Sequence, residues 1–531
     1  MMKFSRNPDS FPTLILASLA SAALLALAMP GRIGWWPLLF VGLVPLLLVA
    51  LYARPGRSAL AGFVFGLVYH LALMYWILIV LGRYGGLPLW GSVPALFLLS
   101  SYMAAYPALF CFLLSRVAGR SWYRERSIMP LVWGAPVLWV GLEYVKGILF
   151  SGFPWMDLSY GLFSQPKLIQ AADLGGHHLI SFTLVLCNGL LVAMIDRQRR
   201  AVRWNVHFER RLLIASVAFL VFIGGYSLVR YRVVGSMAAR SMQARVAVVQ
   251  GNIDQSLKWS PEVKAATVDT YIKLSRLAIK AQDIELVVWP ETALPFYPQQ
   301  DPLMERVSAF TATHNAWLLT GAPLYALPSQ ADGSQQIRYY NGAILVGPDG
   351  RLHGRHAKQH LVPFGEYVPL RKFLPFLEPL VVSVGDFSAG EEKGPMVLGP
   401  MRLGMLICYE SIFPEIAHET VLRGANLLVN ITNDAWYGRS SAPYQSLAMA
   451  VFRAVENKRS LIRAANTGIS GFIDPMGHVL KKSDVFIEDA LVAQVPMLEV
   501  TTVYNRQGFR FGSICAMGMA LMLLVRTRRD D

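Results

Sequence analysis

The chain has 531 residues, of which 54% are hydrophobic and 16% are charged. Soluble domains usually carry roughly a quarter charged residues, so this composition excludes an ordinary soluble protein and predicts membrane spans. The net charge of +15 does not indicate nucleic-acid binding, because the basic residues lie in short stretches between apolar runs. The four unclustered cysteines provide neither a disulfide framework nor zinc spacing.

Seven apolar runs follow one another in the first half of the chain, and an eighth lies near its end. Most are long enough to cross a hydrocarbon core of roughly 30 Å as a helix. They cover residues 11–29, 33–53, 58–82, 84–115, about 127–148, about 174–195, 212–229 and 511–525. The first run also resembles a signal peptide, but similar runs follow it at once, which favours an uncleaved span.

The distribution of Lys and Arg predicts the orientation of these spans, because basic loops stay in the cytoplasm. One set of loops is rich in basic residues: Lys3, Arg6, Arg54, Arg57, Arg116, Arg120, Arg124, Arg126, Arg197, Arg199, Arg200, Arg203, Arg210 and Arg211. The opposite short loops hold only Arg32, Arg83 and Lys167. Both termini are therefore predicted to be cytoplasmic, and residues 235–505 to form a domain on the outer face.

Two charged residues lie near the outer end of the fifth run. Glu143 and Lys146 are three positions apart, so they share one face of a helix. Ionisable groups at such depth often have a function. The simpler interpretation, which we favour, is a self-paired couple at the membrane surface.

The outer domain alternates strands with helices and hairpins, which predicts a layered α/β fold. Strands are predicted at 245–250, 283–289, 316–321, 340–346, 350–353, 403–407, 427–431, 461–465, 471–474 and 478–481, with helices at 261–280, 301–315, 412–423 and 443–459. The sequence contains no Gly-x-Gly, Gly-Lys or Gly-x-Ser-x-Gly, so it lacks the glycines of dinucleotide, P-loop and serine-hydrolase sites.

Cys408 is the candidate nucleophile of this domain. It follows the apolar strand 403–407 and precedes a helix start, where unpaired N–H groups favour a thiolate. The alternative is a buried structural cysteine. The other three cysteines fall within long apolar segments, so Cys408 is the one placed for aqueous chemistry.

A cysteine nucleophile needs a base for its proton and a donor for the oxyanion that it creates. Glu291 directly follows a predicted buried strand, where its carboxylate is poorly solvated, as suits a base. Lys358 precedes a turn shaped by Pro363 and Gly365, which indicates a fixed position for its charge. The alternatives are a turn glutamate and a solvated surface lysine.

Three separated blocks resemble the Glu-Lys-Cys triad of the nitrilase (carbon–nitrogen hydrolase) superfamily. They are Trp-Pro-Glu291, Lys358 with the Leu-Val-Pro-Phe-Gly-Glu-Tyr that ends at Tyr367, and Ile-Cys408-Tyr-Glu. With the flanking spans, the whole chain resembles the membrane-embedded branch of that superfamily, the apolipoprotein N-acyltransferases of the bacterial inner membrane. The blocks 252–259, 433–438 and 464–468 also resemble that family, with Tyr437 where the family has Phe.

This resemblance implies an eight-span α-helical membrane bundle that carries a nitrilase-like α-β-β-α sandwich. The implied domains are a seven-span membrane domain (1–234), a periplasmic catalytic domain (235–505), and an eighth span with a cytoplasmic tail (506–531). It implies a monomer of the bacterial inner membrane that needs no cofactor or metal.

The resemblance also implies a ping-pong acyl transfer through a thioester on Cys408. The acyl donor would be a phospholipid, phosphatidylethanolamine, and the acceptor the α-amino group of a diacylglyceryl apolipoprotein. Glu291 would act as base and then acid, and Lys358 would hold the oxyanion. The alternatives are a membrane-tethered amidase that gives its thioester to water, and a catalytically dead lipid-handling protein.

Several other residues are candidate supports for substrate or site. Glu366 and Glu410 match extra acidic positions of the family and would orient Lys358 or grip the amine. The remaining candidates are Trp259, Tyr409, Asn433 and Trp436. The apolar loop 367–382 predicts a lid that dips into the membrane. His353, His356 and His360 mimic metal spacing, but no Cys or carboxylate completes the set.

Overall fold

The computed structural model of the protein describes residues 10–124, 127–200, 206–255, 260–326, 337–367, 387–392, 394–508 and 510–530. The chain divides into two compact units. The first lies within residues 1–77, 90–232 and 506–531, and the second within 78–89 and 233–505. The short segment 78–89, predicted as part of two membrane spans, is therefore grouped with the second unit.

Helices dominate the N-terminal half. Their bounds are Phe11–Ala28, Val44–Tyr52, Pro55–Met74, Leu89–Arg124, Ala135–Ile148, Ala172–Arg200 and Val206–Arg240, and Arg510–Asp530 returns at the C-terminus. Within the described residues, five helices are long and apolar enough to cross a membrane. These five are Phe11–Ala28, Pro55–Met74, Leu89–Ala118, Ala172–Asp196 and Glu209–Arg240.

Two predicted spans have shorter helices than expected. The run 33–53 contains a 3-10 turn at Trp36–Phe40 and then the helix Val44–Tyr52, and each of these starts with a proline in its first two positions. The run 127–148 contains the 14-residue helix Ala135–Ile148 after a π-helical turn. A count of eight spans therefore stays a prediction.

The first unit contains one very close helix contact. A Cβ atom at Gly62 would lie 2.3 Å from the carbonyl oxygen of Pro107, so only glycine allows these backbones to touch. Small residues commonly mediate such contacts between membrane helices, where close packing replaces the hydrophobic effect. The helices Pro55–Met74 and Leu89–Arg124 are thereby fixed against each other.

The prediction of a self-paired surface couple at Glu143 and Lys146 is wrong. Both residues are buried, with 7% of each exposed. Lys146 Nζ lies 2.5 Å from Oδ1 of Asp157, while Glu143 accepts hydrogen bonds from Trp139 Nε1 and the Leu158 backbone. The chain after Ile148 folds back over the helix Ala135–Ile148. Asp157 therefore pairs with Lys146, and the Leu158 N–H donates to Glu143, in place of the predicted Glu143–Lys146 pair.

In the part of the second unit that the structure describes, the strands form two six-stranded sheets. In chain order the strands are β1 Gln243–Gln250, β2 Leu286–Val288, β3 Trp317–Ala326, β4 Arg338–Val346, β5 Leu352–Ala357, β6 Met396–Leu398, β7 Met401–Ile407, β8 Leu427–Thr432, β9 Ser460–Ala465, β10 Gly471–Ile473, β11 Val479–Lys482 and β12 Asp489–Pro496. The sheet orders are β12-β1-β2-β3-β4-β5 and β11-β10-β9-β8-β7-β6. Strands β1 to β3 and β7 to β9 are parallel, and the other pairings are antiparallel.

The two sheets face each other across one apolar core. Val246 and Leu345 of the first sheet share this core with Leu403 and Val429 of the second. The outer faces carry the helices Pro261–Ala281 and Leu303–His314 on one side, and Pro414–Leu422 and Ala442–Asn457 on the other. The predicted α-β-β-α sandwich is confirmed. Strands β6 and β12 were not predicted, and both lie at the periphery of their sheets.

Candidate active site

The three candidate catalytic residues follow directly from strands of the two facing sheets. Glu291 follows β2, Lys358 is the first residue after β5, and Cys408 is the first after β7. Gly321 of β3 allows the chain at Glu291 to approach, since a Cβ atom there would lie 2.6 Å from Glu291 Cα. Strand ends of this kind commonly bear the functional groups of α/β folds.

Lys358 lies between two carboxylates in the interior. Only 1% of it is exposed. Its Nζ atom lies 3.0 Å from Oε1 and 2.9 Å from Oε2 of Glu366, and 4.0 Å from Oε1 of Glu291. Burial alone would lower the pKa of Lys358, but Glu366, then Cys408 and Glu291, raise it above its ordinary value. The ammonium is therefore permanently charged and pointed at the site.

Asn341 connects the two carboxylates and was not found from the sequence. Its Nδ2 atom donates to Oε1 of Glu291 at 2.7 Å and to Oε1 of Glu366 at 2.8 Å. The second oxygen of Glu291 accepts from the Asn433 backbone N–H at 2.8 Å. The only available signal was a polar residue on β4 that precedes a run of buried residues. Asn341 and Asn433 together hold the orientation of the Glu291 carboxylate.

Cys408 begins the short 3-10 helix Cys408–Ile412 with a left-handed φ of 54°. Burial raises the pKa of its thiol to about 12, and the Glu291 charge adds to the increase. Lys358 and the Thr432 hydroxyl lower the pKa of Cys408, but they do not cancel the increase. The expectation of a favoured thiolate is therefore wrong, because desolvation of the buried thiol and the Glu291 charge raise the pKa more than Lys358 and Thr432 lower it. The thiol needs a base to remove its proton.

This shift predicts the pH dependence of Cys408 alkylation. A thiol whose pKa is about 12 is protonated below that pH, so its thiolate fraction should rise about tenfold per pH unit from pH 7 to 10. The measurement is the rate of iodoacetamide labelling at Cys408, read by peptide mass spectrometry. An ordinary thiol would level off near pH 8.5. A plateau for Cys408 below about pH 9 would contradict the assignment.

Glu410 joins the segment after Lys358 to the strand before Cys408. It is fully buried. Its Oε1 atom accepts from the backbone N–H groups of Gln359 at 2.6 Å and His360 at 3.1 Å, and its Oε2 accepts from Ile407 N–H at 2.6 Å. The carboxylate therefore positions both the lysine and the cysteine, and these bonds occupy both of its oxygens.

Glu410→Gln should destabilise the protein by about 2–3 kcal/mol, because its amide NH₂ would face a backbone N–H and the charge of the acceptor would be lost. The measurement is thermal or denaturant unfolding of the purified full chain. Glu419→Gln is the control, since Glu419 forms an exposed pair with Arg423 and should change stability by at most about 0.5 kcal/mol. If Glu410→Gln were as stable as Glu419→Gln, Glu410 would not be the residue that holds these two segments together.

The remaining predicted support residues lie in different surroundings. Tyr409 is buried, and its ring lies 5.0 Å from that of Phe413 in an edge contact. Asn433 donates from Nδ2 to Gln255 and accepts from Asn466. Trp259 lies outside the described residues, as does the predicted lid 367–382 apart from Tyr367.

Trp436 is half-buried in the loop that follows Asn433. Its ring lies 5.4 Å from that of Tyr84 at an angle of 73°. The next glycine, Gly438, is also covered by this segment, because a Cβ there would lie 3.1 Å from Ile79 Cγ2. Tyr84 and Ile79 both belong to the segment 78–89, which is part of the second unit.

The three histidines of the predicted metal-like spacing do not act together. His353 Nε2 lies 2.8 Å from Oδ1 of the exposed Asp349. His356 is buried, and burial lowers its pKa to about 4. The His360 ring lies 3.9 Å from the Phe413 ring. Each histidine therefore has separate surroundings.

The fold and the matched sequence define a carbon–nitrogen hydrolase domain attached to a membrane-type N-terminal half. Residues 245–505 match the carbon-nitrogen hydrolase family, and residues 21–190 match the apolipoprotein N-acyltransferase N-terminal domain. The chain belongs to the apolipoprotein N-acyltransferase family, which confirms the resemblance seen in the sequence.

Relatives named apolipoprotein N-acyltransferase align along nearly the whole chain. The protein of that name from Geobacter metallireducens is 41% identical over 97% of this chain and 96% of its own length. The one from Methylococcus capsulatus is 33% identical over 91% of this chain and 90% of its own. The solved carbon-nitrogen hydrolase from Helicobacter pylori G27 covers 50% of this chain and 94% of its own, at 18% identity and a TM-score of 0.36.

Proposed function

We propose that this protein transfers a fatty acyl chain from a phospholipid to the α-amino group of the diacylglyceryl-cysteine of an apolipoprotein. The observation that carries the proposal is the buried Lys358 ammonium between Glu291 and Glu366, beside Cys408. It lies in a chain that is 41% identical, over 97% of its length, to a relative named for this reaction.

In the first half-reaction, Glu291 takes the Cys408 proton as the sulfur attacks the ester carbonyl of the phospholipid. The Lys358 ammonium stabilises the oxyanion that forms on the former carbonyl oxygen. The tetrahedral intermediate collapses, the ester C–O bond breaks, and Glu291 returns its proton to the leaving alkoxide. The products are a Cys408 thioester and a lysophospholipid.

In the second half-reaction, the neutral α-amine of the apolipoprotein attacks the thioester carbonyl. Glu291 accepts the proton that the amine loses as the amide bond forms. The Cys408 sulfur leaves, and the proton on Glu291 regenerates the thiol. The raised pKa of Cys408 supports this role for Glu291, since the free thiol must be deprotonated in each cycle.

The finer features of the proposal concern the donor and the topology. We assign phosphatidylethanolamine as donor, a monomer as the working state, and the domains 1–234, 235–505 and 506–531. The basic loops support cytoplasmic termini and a periplasmic catalytic domain in the bacterial inner membrane. Five membrane-length helices within the described residues support the membrane assignment.

The decisive experiment measures the intact mass of the full chain after incubation with phosphatidylethanolamine. The expected result is an added acyl mass at Cys408 and release of lysophospholipid, followed by discharge when a diacylated lipopeptide is added. The lipopeptide should gain one acyl chain through an amide bond. A thioester that disappears equally fast without the lipopeptide would instead indicate hydrolysis by water. Absence of any acyl adduct would overturn the two-step mechanism.

A further inference from the structure

A cavity lies within the first unit, lined by the helices Pro55–Met74, Leu89–Arg124 and Ala135–Ile148. Five aromatic side chains line it: Phe65, Tyr69, Tyr106, Phe110 and Trp139. Glu143 and Lys146 also line it. The catalytic chemistry proposed above uses none of these residues.

Glu143 lines this cavity, and one of its two carboxylate oxygens has no hydrogen-bond donor among the described residues. Its Oε1 atom accepts from Trp139 Nε1 at 2.8 Å and from the Leu158 N–H at 2.9 Å, and both donors are neutral. Its Oε2 atom is buried and has no hydrogen-bond partner among the described residues. A buried carboxylate oxygen without a donor is costly, so the site is incomplete without another group.

The nearby basic groups are directed at a different carboxylate. Lys146 Nζ lies 2.5 Å from Oδ1 of Asp157, and His177 Nε2 lies 3.0 Å from its Oδ2. Asp157, His177 and His178 could bring ligand atoms to one metal ion. Lys146 and His177 already pair with the two oxygens of Asp157, so we assign no metal there. The Oε2 atom of Glu143 therefore remains available to accept a hydrogen bond from a bound ligand.

A cavity that combines aromatic rings with a carboxylate favours a cationic nitrogen, because both kinds of group attract positive charge. The depth of the cavity points to a lipid. Tyr69 lies in the last two turns of the helix Pro55–Met74, and Glu143 lies in the last two turns of Ala135–Ile148. These helices are the third and fifth predicted spans and run in the same direction. Their C-terminal ends therefore lie at the headgroup level of one leaflet.

We propose that this cavity binds the primary ammonium group of an aminophospholipid headgroup, with Glu143 Oε2 as its acceptor. The site goes beyond the proposed acyl transfer, since binding here requires no reaction at Cys408. It would select lipids by headgroup in the membrane unit itself. By the predicted orientation, it would do so in the outer leaflet.

The test uses the full chain with Cys408→Ala, so that no lipid is turned over. Delipidated protein is incubated with phosphatidylethanolamine, phosphatidylglycerol or N-acetylated phosphatidylethanolamine, and retained lipid is quantified by native mass spectrometry. We expect Glu143→Gln to lower phosphatidylethanolamine retention at least about tenfold and to leave phosphatidylglycerol unchanged. Glu209→Gln is the matched control, since Glu209 is an equally buried acid of the same unit that accepts from Ile128 N–H.

Several outcomes would overturn the proposal. One is equal retention of phosphatidylethanolamine by the Glu143→Gln and Glu209→Gln variants, and another is an equal loss of all three lipids. If Glu143→Gln does not fold, the test is made on protein that retains Glu143. The acetylated lipid then replaces the variant, because acetylation removes the positive charge from the headgroup. Equal retention of the acetylated and free-amine lipids would then exclude ammonium recognition. Displacement of the phospholipid by a similar concentration of ethanolamine would reassign the cavity to a soluble amine.

Discussion

Cys408→Ala should abolish the acyl-enzyme and lower acyl transfer by at least about 10³-fold. The alanine has no nucleophile, and neither Glu291 nor Lys358 can form a thioester in its place. The measurements are the intact mass after incubation with phospholipid and the rate of lipopeptide acylation. The unfolding temperature should change little, because the change removes a single sulfur atom.

Cys187→Ala is the matched control, since Cys187 is another free and partly buried cysteine of the chain. That variant should keep both the acyl adduct and the rate. An acyl adduct that persists in Cys408→Ala, or one that is lost in Cys187→Ala, would assign the nucleophile to the wrong residue.

Lys358→Met should lower the rate by at least about 10²–10³-fold and also destabilise the protein by about 3–5 kcal/mol. The rate falls because no cation remains for the oxyanion. The stability falls because the carboxylates of Glu291 and Glu366 would share a buried site without the charge that separates them. The measurements are single-turnover formation of the thioester and denaturant unfolding of the same preparation.

Arg453→Met separates these two effects. Arg453 is an equally buried cation that pairs with Glu456 at 2.9 Å on the outer helix of the second sheet. Its loss should lower stability by a similar amount, while the folded fraction should still form the thioester at the normal rate. If both variants lose rate in proportion to stability alone, Lys358 has no chemical role beyond holding the fold together.

The arrangement of the sandwich was predictable because its strands are short apolar runs between turn signals. Residues 403–407 of β7 form a continuous apolar run, and β8 is apolar except for Asn430 and Thr432. Such runs are typical of buried parallel strands. The edge strand β12 was missed because its burial is partial, so its apolar pattern is weaker. Its register with β1 depends on residues more than 230 positions away, which local patterns do not report.

The candidate site was predictable only in its residue types. Local sequence placed Glu291 and Cys408 after strands and Lys358 before a turn, but it did not indicate that Asn341 joins Glu291 to Glu366. Such a bond depends on the spacing of separate strands, and a lone asparagine in a strand carries no signal of it. The pKa of Cys408 was predicted in the wrong direction for a related reason. A helix start is visible in the sequence, whereas the degree of desolvation depends on the complete fold.

The segment 78–89 has a practical consequence for the catalytic half. Tyr84 and Ile79 cover Trp436 and Gly438, two residues of the loop that begins at Asn433, which holds Glu291. A truncated chain that starts at Val233 would leave these covering groups behind and expose an indole ring to solvent. We therefore expect a fragment that lacks residues 78–89 to lose the cover over the segment that positions Glu291.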